Sequence, residues 1–488
     1  MRVVTRGVSR SHGILPAPMR LQLLPSDGDA RRRWTGRRGL VPAVVAALVV
    51  VGLGAKRASA QQVQEQDAID LTGRQNLTLG AGARAYGMGG AFLARPDDAT
   101  AASWNPAGLS YLRLPEVSLV ANANSFVIKQ GDVERDRFTG SAFDFAAFTW
   151  PVSVGDALGA IQVSYQRAIG FDGTREIVSL PIRIDGQSDG GFDVLAFGTG
   201  LRPFRSLRFG VTVNRWFNGY EQLLYRQVPN RPPPLRELTL DFHLGGWSTN
   251  LGLIWSPAEN VNIGAVFKTP FTAAVTLSKR RTDTWSAEPE FDQVTYNSYE
   301  SDDVRLELPA SYGFGVSWRP RDTLTLSADL TRTRWSQAYI LNYFSLNATP
   351  QRDDPAELPA PPPPTIADRL PYPTLGGDGA LNVPVSQVDA EQIRAGIEYV
   401  LITGSLKIPL RAGYFNDRQI TVYPGQDAPR FNGVTVGTGI VLGSLLLDVA
   451  YLHEFGNYAV SVQEVPIYGA LRANRFFVSA IYRLARRP

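Results

Sequence analysis

The sequence predicts an all-β chain, a 14-stranded antiparallel transmembrane β-barrel with an N-terminal hatch of short helices plugging its lumen. Three observations carry this. Segments of strict apolar–polar alternation recur along residues 115–484. Short and long connections alternate between those segments. A cationic, then apolar, leader precedes them all.

The leader comes first. Residues 31–38 read RRRWTGRR, Leu40 to Gly54 is an apolar run, and Ala58-Ser59-Ala60 follows. A charged region, a short apolar core and an A-x-A site describe a secretory signal peptide over 1–60. The long n-region leaves Met19 as an alternative start, and Lys56 and Arg57 depart from the usual uncharged c-region. The apolar run is shorter than the roughly 20 residues of a spanning helix. Residues 1–60 hold 11 Lys+Arg against 2 Asp+Glu, while the other 428 residues hold 38 against 43. The basic pI therefore belongs to the leader, and charge gives no support to nucleic-acid binding.

Residues 61–114 form the predicted hatch. GAGARAYGMGG (80–90) is Gly-rich without phosphate-cradle spacing. Asp97 or Asp98 is placed to cap a short Ala-rich helix ended by Asn105-Pro106. Asn105 in turn caps a second short helix with Pro106 at its first position.

Residues 115–488 form the barrel. Tyr312, Phe314, Val316 and Trp318 share one face of a strand, and Ser311, Gly313, Gly315 and Ser317 the other. Leu324–Thr331, Ile161–Gln166 and Leu207–Asn214 repeat the pattern, which marks half-buried strands. Pro-containing turns near 151, 203, 257 and 320, and Gly turns near 404 and 443, lie on one rim. The connections near 129–136, 169–190, 218–236, 279–303, 337–388, 417–430 and 457–471 read as longer loops on the other. Fourteen strands with short turns on one side and long loops on the other describe an outer-membrane barrel, and put both termini on the periplasmic, short-turn side. Trp150, Trp255 and Trp318 sit beside turn prolines, as an interfacial aromatic girdle requires. A secreted array of β-sandwiches also alternates, but connection parity and strand length favour the barrel. The Pro-rich 337–388 segment reads as a stiff solvated loop.

The chain has no Cys and 3 His. It has no GxSxG, HExxH or GxxxxGK[ST] motif, so no enzyme activity, metal or cofactor is expected. Arg394, Glu398, Lys407 and Arg411 have lumen parity and read as a charge network. Arg394, Lys407 or Arg411 could alternatively meet a carboxylate headgroup.

GARAYGMGGAFLARPDDATAASWNPAGLSYL (82–112) resembles the start of the FadL/TodX family of outer-membrane transporters of hydrophobic compounds. LPASYGFGVSWRPRDTLTLSADLTRTRWS (308–336) and IPLRAGYFND (408–417) continue the resemblance in order. The resemblance implies passive transport of long-chain fatty acids or other hydrophobic small molecules across the outer membrane. It implies a monomer embedded among outer-membrane lipid and lipopolysaccharide, a pocket near the hatch, and lateral exit through a wall opening at an inward strand kink. It places hatch gating on Asn105, Pro106 and Ala107, and the glycines Gly87, Gly89 and Gly90 of the same segment are further gating candidates. Phe92, Leu93 and Trp104 are substrate-contact candidates by their place in the hatch, and Arg394, Lys407 and Arg411 by lumen parity. PorV-type barrels, components of a protein secretion system, share such a plug and give the alternative function. The C-terminal RFFVSAIYRLARRP departs from the usual terminal aromatic.

Overall fold

The computed structural model describes residues 80–179, 182–227, 235–284, 293–343, 381–386, 388–404, 406–420, 427–462 and 465–484. The predicted leader and residues 61–79 of the predicted hatch lie outside the described residues, as does most of the Pro-rich loop.

Fourteen antiparallel strands close into a barrel. They are β1 Glu116–Gln130, β2 Val133–Val154, β3 Ala157–Gly170 continued as Gly173–Ser179, and β4 Ile182–Phe204. Next come β5 Leu207–Phe217 continued as Gly219–Gln227, β6 Leu235–Ala258, and β7 Val261–Lys268 continued as Phe271–Thr284. β8 is Gln293–Leu308 continued as Ser311–Arg321, β9 Leu324–Thr333 continued as Tyr339–Tyr343, and β10 Leu381–Pro384 continued as Ala390–Thr403. β11 Leu406–Arg418, β12 Arg430–Leu442, β13 Leu445–Val462 and β14 Val465–Arg483 complete the wall. β1 pairs with β14 from Glu116↔Arg483 to Lys129↔Ala470, which leaves no sheet edge. Closure satisfies the backbone of a lipid-facing sheet within the protein.

Six two-residue turns lie on one rim. Three carry a glycine at positive φ, Gly155 (58°), Gly404 (60°) and Gly443 (63°), as tight hairpins of two residues require. The opposite connections differ from the sequence reading. β1 and β2 are joined by a two-residue turn at Gly131-Asp132, and much of 169–190, 218–236, 279–303 and 457–471 is strand. Gly, Asn and Asp in these stretches resemble loop signals, but hairpins that continue beyond the belt still pair their backbones.

Phe143, Phe148, Trp150, Phe197, Trp247, Trp255, Phe314, Trp318, Val436 and Phe476 face outward and are exposed. This apolar belt fits an outer membrane. No helix among the described residues is long and apolar enough to cross a membrane.

The strands bend at one level. β3 breaks at Phe171-Asp172, β5 at Asn218, β7 at Thr269-Pro270, β8 at Pro309-Ala310, and β9 at a 3₁₀ turn, Trp335–Gln337. Asn218 takes φ 73°, the left-handed region that Asn tolerates. At these bends and on their long-connection side, Phe171, Phe192, Tyr220, Phe242, Leu306 and Trp335 pack into one buried cluster. Trp335, expected in a strand, is in that turn and almost wholly buried. Trp216 packs beside the cluster and donates to Ser248 Oγ at 2.9 Å. Both face the lumen, so neither belongs to a lipid girdle.

Candidate functional site

Residues 80–112 lie inside the barrel and are almost entirely buried. Two helices, α1 Ala83–Gly87 and α2 Ala101–Trp104, and a 3₁₀ helix, Pro106–Tyr111, make up the segment. Its small residues let backbone approach backbone. Tyr86 stacks on Phe477 of β14 with ring centroids 4.0 Å apart. Trp104 meets Tyr86 and Phe92 edge-on, and its Nε1 donates to Ala81 O at 2.8 Å.

The Asn105-Pro106-Ala107 corner is pinned to the wall. Asn105 Nδ2 donates to Leu93 O (2.9 Å), Leu253 O (3.2 Å) and Ala265 O (3.3 Å), while Oδ1 accepts from Ala107 N–H at 3.1 Å. Asn105 thus caps the 3₁₀ helix with Pro106 at its first position, as its sequence position suggests. α2 differs. It is capped at Thr100 without a side-chain bond, and Asp98 Oδ1 instead accepts from Thr100 N–H and Oγ1–H at 2.8 and 2.6 Å. Asp98 sits two residues before the cap position, so its side chain meets Thr100 rather than the helix's first turn. Wall glycines make the bed for this corner. A Cβ on Gly210 would stand 2.2 Å from the Pro106 carbonyl carbon, and one on Gly252 2.1 Å from Asn105 Oδ1.

A second bed holds Gly87, Gly89 and Gly90. Gly89 and Gly90 have φ 68° and 78°, a turn that a side chain would strain. A Cβ on Gly413 would come within 2.1 Å of Gly89 N, and one on Gly396 within 2.3 Å of Met88 O. Thr435 Oγ1 accepts from Gly89 N–H and donates to Gly87 O, at 2.9 and 3.0 Å. Asp329 Oδ2 accepts the N–H groups of Phe92 and Leu93 at 2.6 and 2.8 Å.

Charges complete the seam. Arg84 of α1 binds Glu398 of β10 through Nε and Nη2, both at 3.0 Å, and Asp97 through Nη1 at 2.6 Å. Arg411 bridges Glu398 (2.7 Å) and Asp448 (2.6 Å). Arg394 donates to Gly89 O (2.9 Å) and pairs with Asp417 (2.6 Å). Burial pushes the Asp97 carboxyl up, but Arg84 and Arg95 beside it outweigh this and hold it at about 2. In Asp98 burial prevails, and its pKa rises despite Arg84.

These contacts sort the sequence candidates. Phe92, Leu93 and Trp104 are buried in the packing of segment against wall. Arg394 and Arg411 are committed to carboxylates. Lys407, expected in their network, is exposed at the end of β11 beside the two-residue turn. Its parity matches theirs, but it sits too far along the strand to reach them.

A cavity of about 140 Å³ lies elsewhere, between α1 and strands β1, β2, β3 and β14. Tyr86, Phe126, Phe138, Ile169 and Phe477 give its apolar lining, and Asn122, Asp144, Gln166, Arg167 and Arg475 its polar lining. The sequence reading picked out none of these. The alternation Asn122, Asn124, Phe126 in β1 was the available signal.

The cavity abuts a break in the wall. β2 pairs with β3 from Phe145↔Gln166 to Val154↔Ala157, and again from Asp136↔Ile177 to Thr139↔Thr174. Residues 140–144 of β2 have no partner on β3 between these ladders, although β1 pairs with 140–143 on the other side. There β3 turns inward. A Cβ on Gly140 would stand 2.1 Å from Asp172 O, and Ile169 and Phe171 are buried. The kink is tied by Arg167, which pairs with Asp172 and with Asp193 (2.8 Å), and by Asn218 Nδ2, which donates to Asp193 at 2.8 Å. Gly190 N–H donates to Asp172 Oδ1 at 2.9 Å.

The closed 14-stranded barrel with a buried N-terminal segment is a fold shared with solved structures of FadL-type barrels. The CymD monoaromatic hydrocarbon channel aligns with a TM-score of 0.56 and 14% identity, over 83% of this chain and 98% of that one. The Ralstonia pickettii toluene transporter TbuX gives 0.53 and 16%, over 83% and 99%. A Pseudomonas aeruginosa FadL homologue gives 0.55 and 13%, over 83% and 99%. No curated protein matches the sequence. The chain belongs to the BamG family, whose model matches residues 61–351.

Proposed function

We propose that this barrel is a passive outer-membrane channel for small hydrophobic molecules. A solute reaches the lumen from outside, rests in the cavity beside α1, and leaves sideways between β2 and β3. The observation that carries this reading is the unpaired stretch 140–144 of β2 with the cavity directly behind it. At that stretch the strands can part without breaking ladder hydrogen bonds. Burial of apolar surface supplies affinity at roughly 25 cal/mol per Å². A lateral route does not require residues 80–112 to leave their glycine beds.

The cavity favours one end of the expected substrate range. A void of about 150 Å³ accommodates a benzene-sized molecule, so about 140 Å³ suits one ring better than a long acyl chain. In this reading residues 61–114 act as the hatch, the two-residue turns and both termini face the periplasm, and the barrel works as a monomer.

The test is uptake. The chain is expressed behind a dependable signal peptide in a Gram-negative strain lacking its own hydrophobic-compound channel. Labelled p-cresol, toluene and palmitate are compared. Uptake of the ring compounds above the empty strain supports the reading. A folded barrel without uptake, co-purifying with a protein partner, would contradict it and favour the secretion-component alternative.

A further inference from the structure

We propose that the cavity beside α1 selects a single aromatic ring bearing a phenolic hydroxyl over the matching plain hydrocarbon and the matching carboxylate. This rests on the channel reading above and names the substrate class of the same site. The ring follows from size and from the aromatic lining. Phe126 and Phe138 stack with centroids 5.3 Å apart, and Tyr86 stacks on Phe477. Offset and edge-on contacts with such rings favour an aromatic guest over an aliphatic one of equal volume.

The hydroxyl follows from the polar lining. Arg167 is held between Asp172 and Asp193, and Arg475 pairs with Glu454 at 3.0 Å. Both cavity cations are therefore matched by carboxylates. Asp172 is also engaged by Gly190 N–H. Asp144 differs, because it receives the side-chain amide of Asn122 at one oxygen and forms no ion pair with any of the described residues. In the lining, Asp144 and Asp172 balance Arg167 and Arg475, and both arginines already hold carboxylates, so an anionic guest meets no unmatched cation. A plain hydrocarbon leaves the second Asp144 oxygen facing the cavity with no protein donor. A phenol supplies that donor and keeps the ring. The Tyr86 hydroxyl cannot serve, since it donates to Gly80 O at 3.0 Å.

Toluene, p-cresol and p-toluate differ only in the group opposite the methyl. Each is titrated calorimetrically into the detergent-solubilised full chain. An Ala142→Trp variant, which fills the cavity, is the blank for partition into detergent. The expected result is saturable p-cresol binding about tenfold tighter than toluene, the scale of one hydrogen bond to a charged acceptor. p-Toluate should bind weakest. Asp144→Ala should bring p-cresol to the affinity of toluene, and Asp144→Asn, which keeps an oxygen, should retain part of the preference. If neither variant folds, the wild-type ranking decides.

Toluene or p-toluate binding as tightly as p-cresol would overturn the selectivity and leave the channel reading standing. No saturable binding with cellular uptake intact would overturn the cavity as the site. No binding and no uptake would remove both.

Discussion

Arg84, on a helix inside the barrel, grips Glu398 in the wall with two N–H···O bonds of 3.0 Å each. The same guanidinium holds Asp97, and Glu398 also receives Arg411, so one short chain of charges fastens the N-terminal segment to two wall strands. Removing one member of a buried pair costs about 3–5 kcal/mol because the other charge is stranded. Glu398→Ala should therefore loosen the segment and expose it to trypsin at Arg84 and Arg95, while the barrel keeps its heat-modifiable gel migration. Full protease protection would show that the glycine beds alone hold it.

Acid should act on this latch late. The folded pKa of Asp97 is depressed from 3.8 to about 2. Its contribution is then fully present above about 3.8 and is lost as pH falls towards 2. The pKa of Asp98 is raised, so its ionised form opposes folding and its protonation on acidification removes that cost. Trypsin-independent probes, such as hydrogen exchange of residues 83–98, should show no loosening between pH 7 and pH 4. Loss should begin below that, and Asp97→Asn should remove the acid limb.

Wall glycines should tolerate no side chain where the segment rests. Gly252→Ala places a methyl 2.1 Å from Asn105 Oδ1 and 2.8 Å from Pro106 Cδ. Overpacking of this kind costs about 1–3 kcal/mol, so protection of 100–110 in exchange should fall. Gly170→Ala, with its nearest foreign atoms at 3.5–3.8 Å, should leave that protection unchanged.

Asn105→Ala withdraws the donor shared by Leu93 O, Leu253 O and Ala265 O and the acceptor of Ala107 N–H. Leaving buried polar groups unmatched costs about 1–3 kcal/mol. Assembly of the barrel should survive and uptake should fall. Uptake equal to wild type would separate this corner from transport.

Much of the wall was legible because its chemistry has period two. Outward Phe314, Val316 and Trp318 against inward Gly313, Gly315 and Ser317 follow from lipid on one side and a packed lumen on the other. The Asn105-Pro106 cap was legible because it is local. The kinks were not, since Gly170-Phe171-Asp172-Gly173 and Asn218-Gly219 read as loop beginnings when they are bends within long strands. The cavity was hidden for a related reason. Tyr86, Asn122, Asp144, Arg167 and Phe477 are brought together by barrel closure and by the inward turn of β3, and neither leaves a motif in the chain. Arg394 and Arg411 had the correct parity, but parity cannot show that their partners already stand within the protein.

The most direct measurement of the lateral route is a reversible staple across it. A Cβ on Gly170 would stand 3.8 Å from Ala142 Cβ, the usual separation in a disulfide. The chain has no cysteine of its own, so Ala142→Cys with Gly170→Cys introduces one possible pair. Uptake of labelled p-cresol is measured in cells carrying the double variant, oxidised and then reduced. The account predicts that oxidation abolishes uptake and that reduction restores it. Uptake at the wild-type rate with the disulfide formed would contradict passage between β2 and β3.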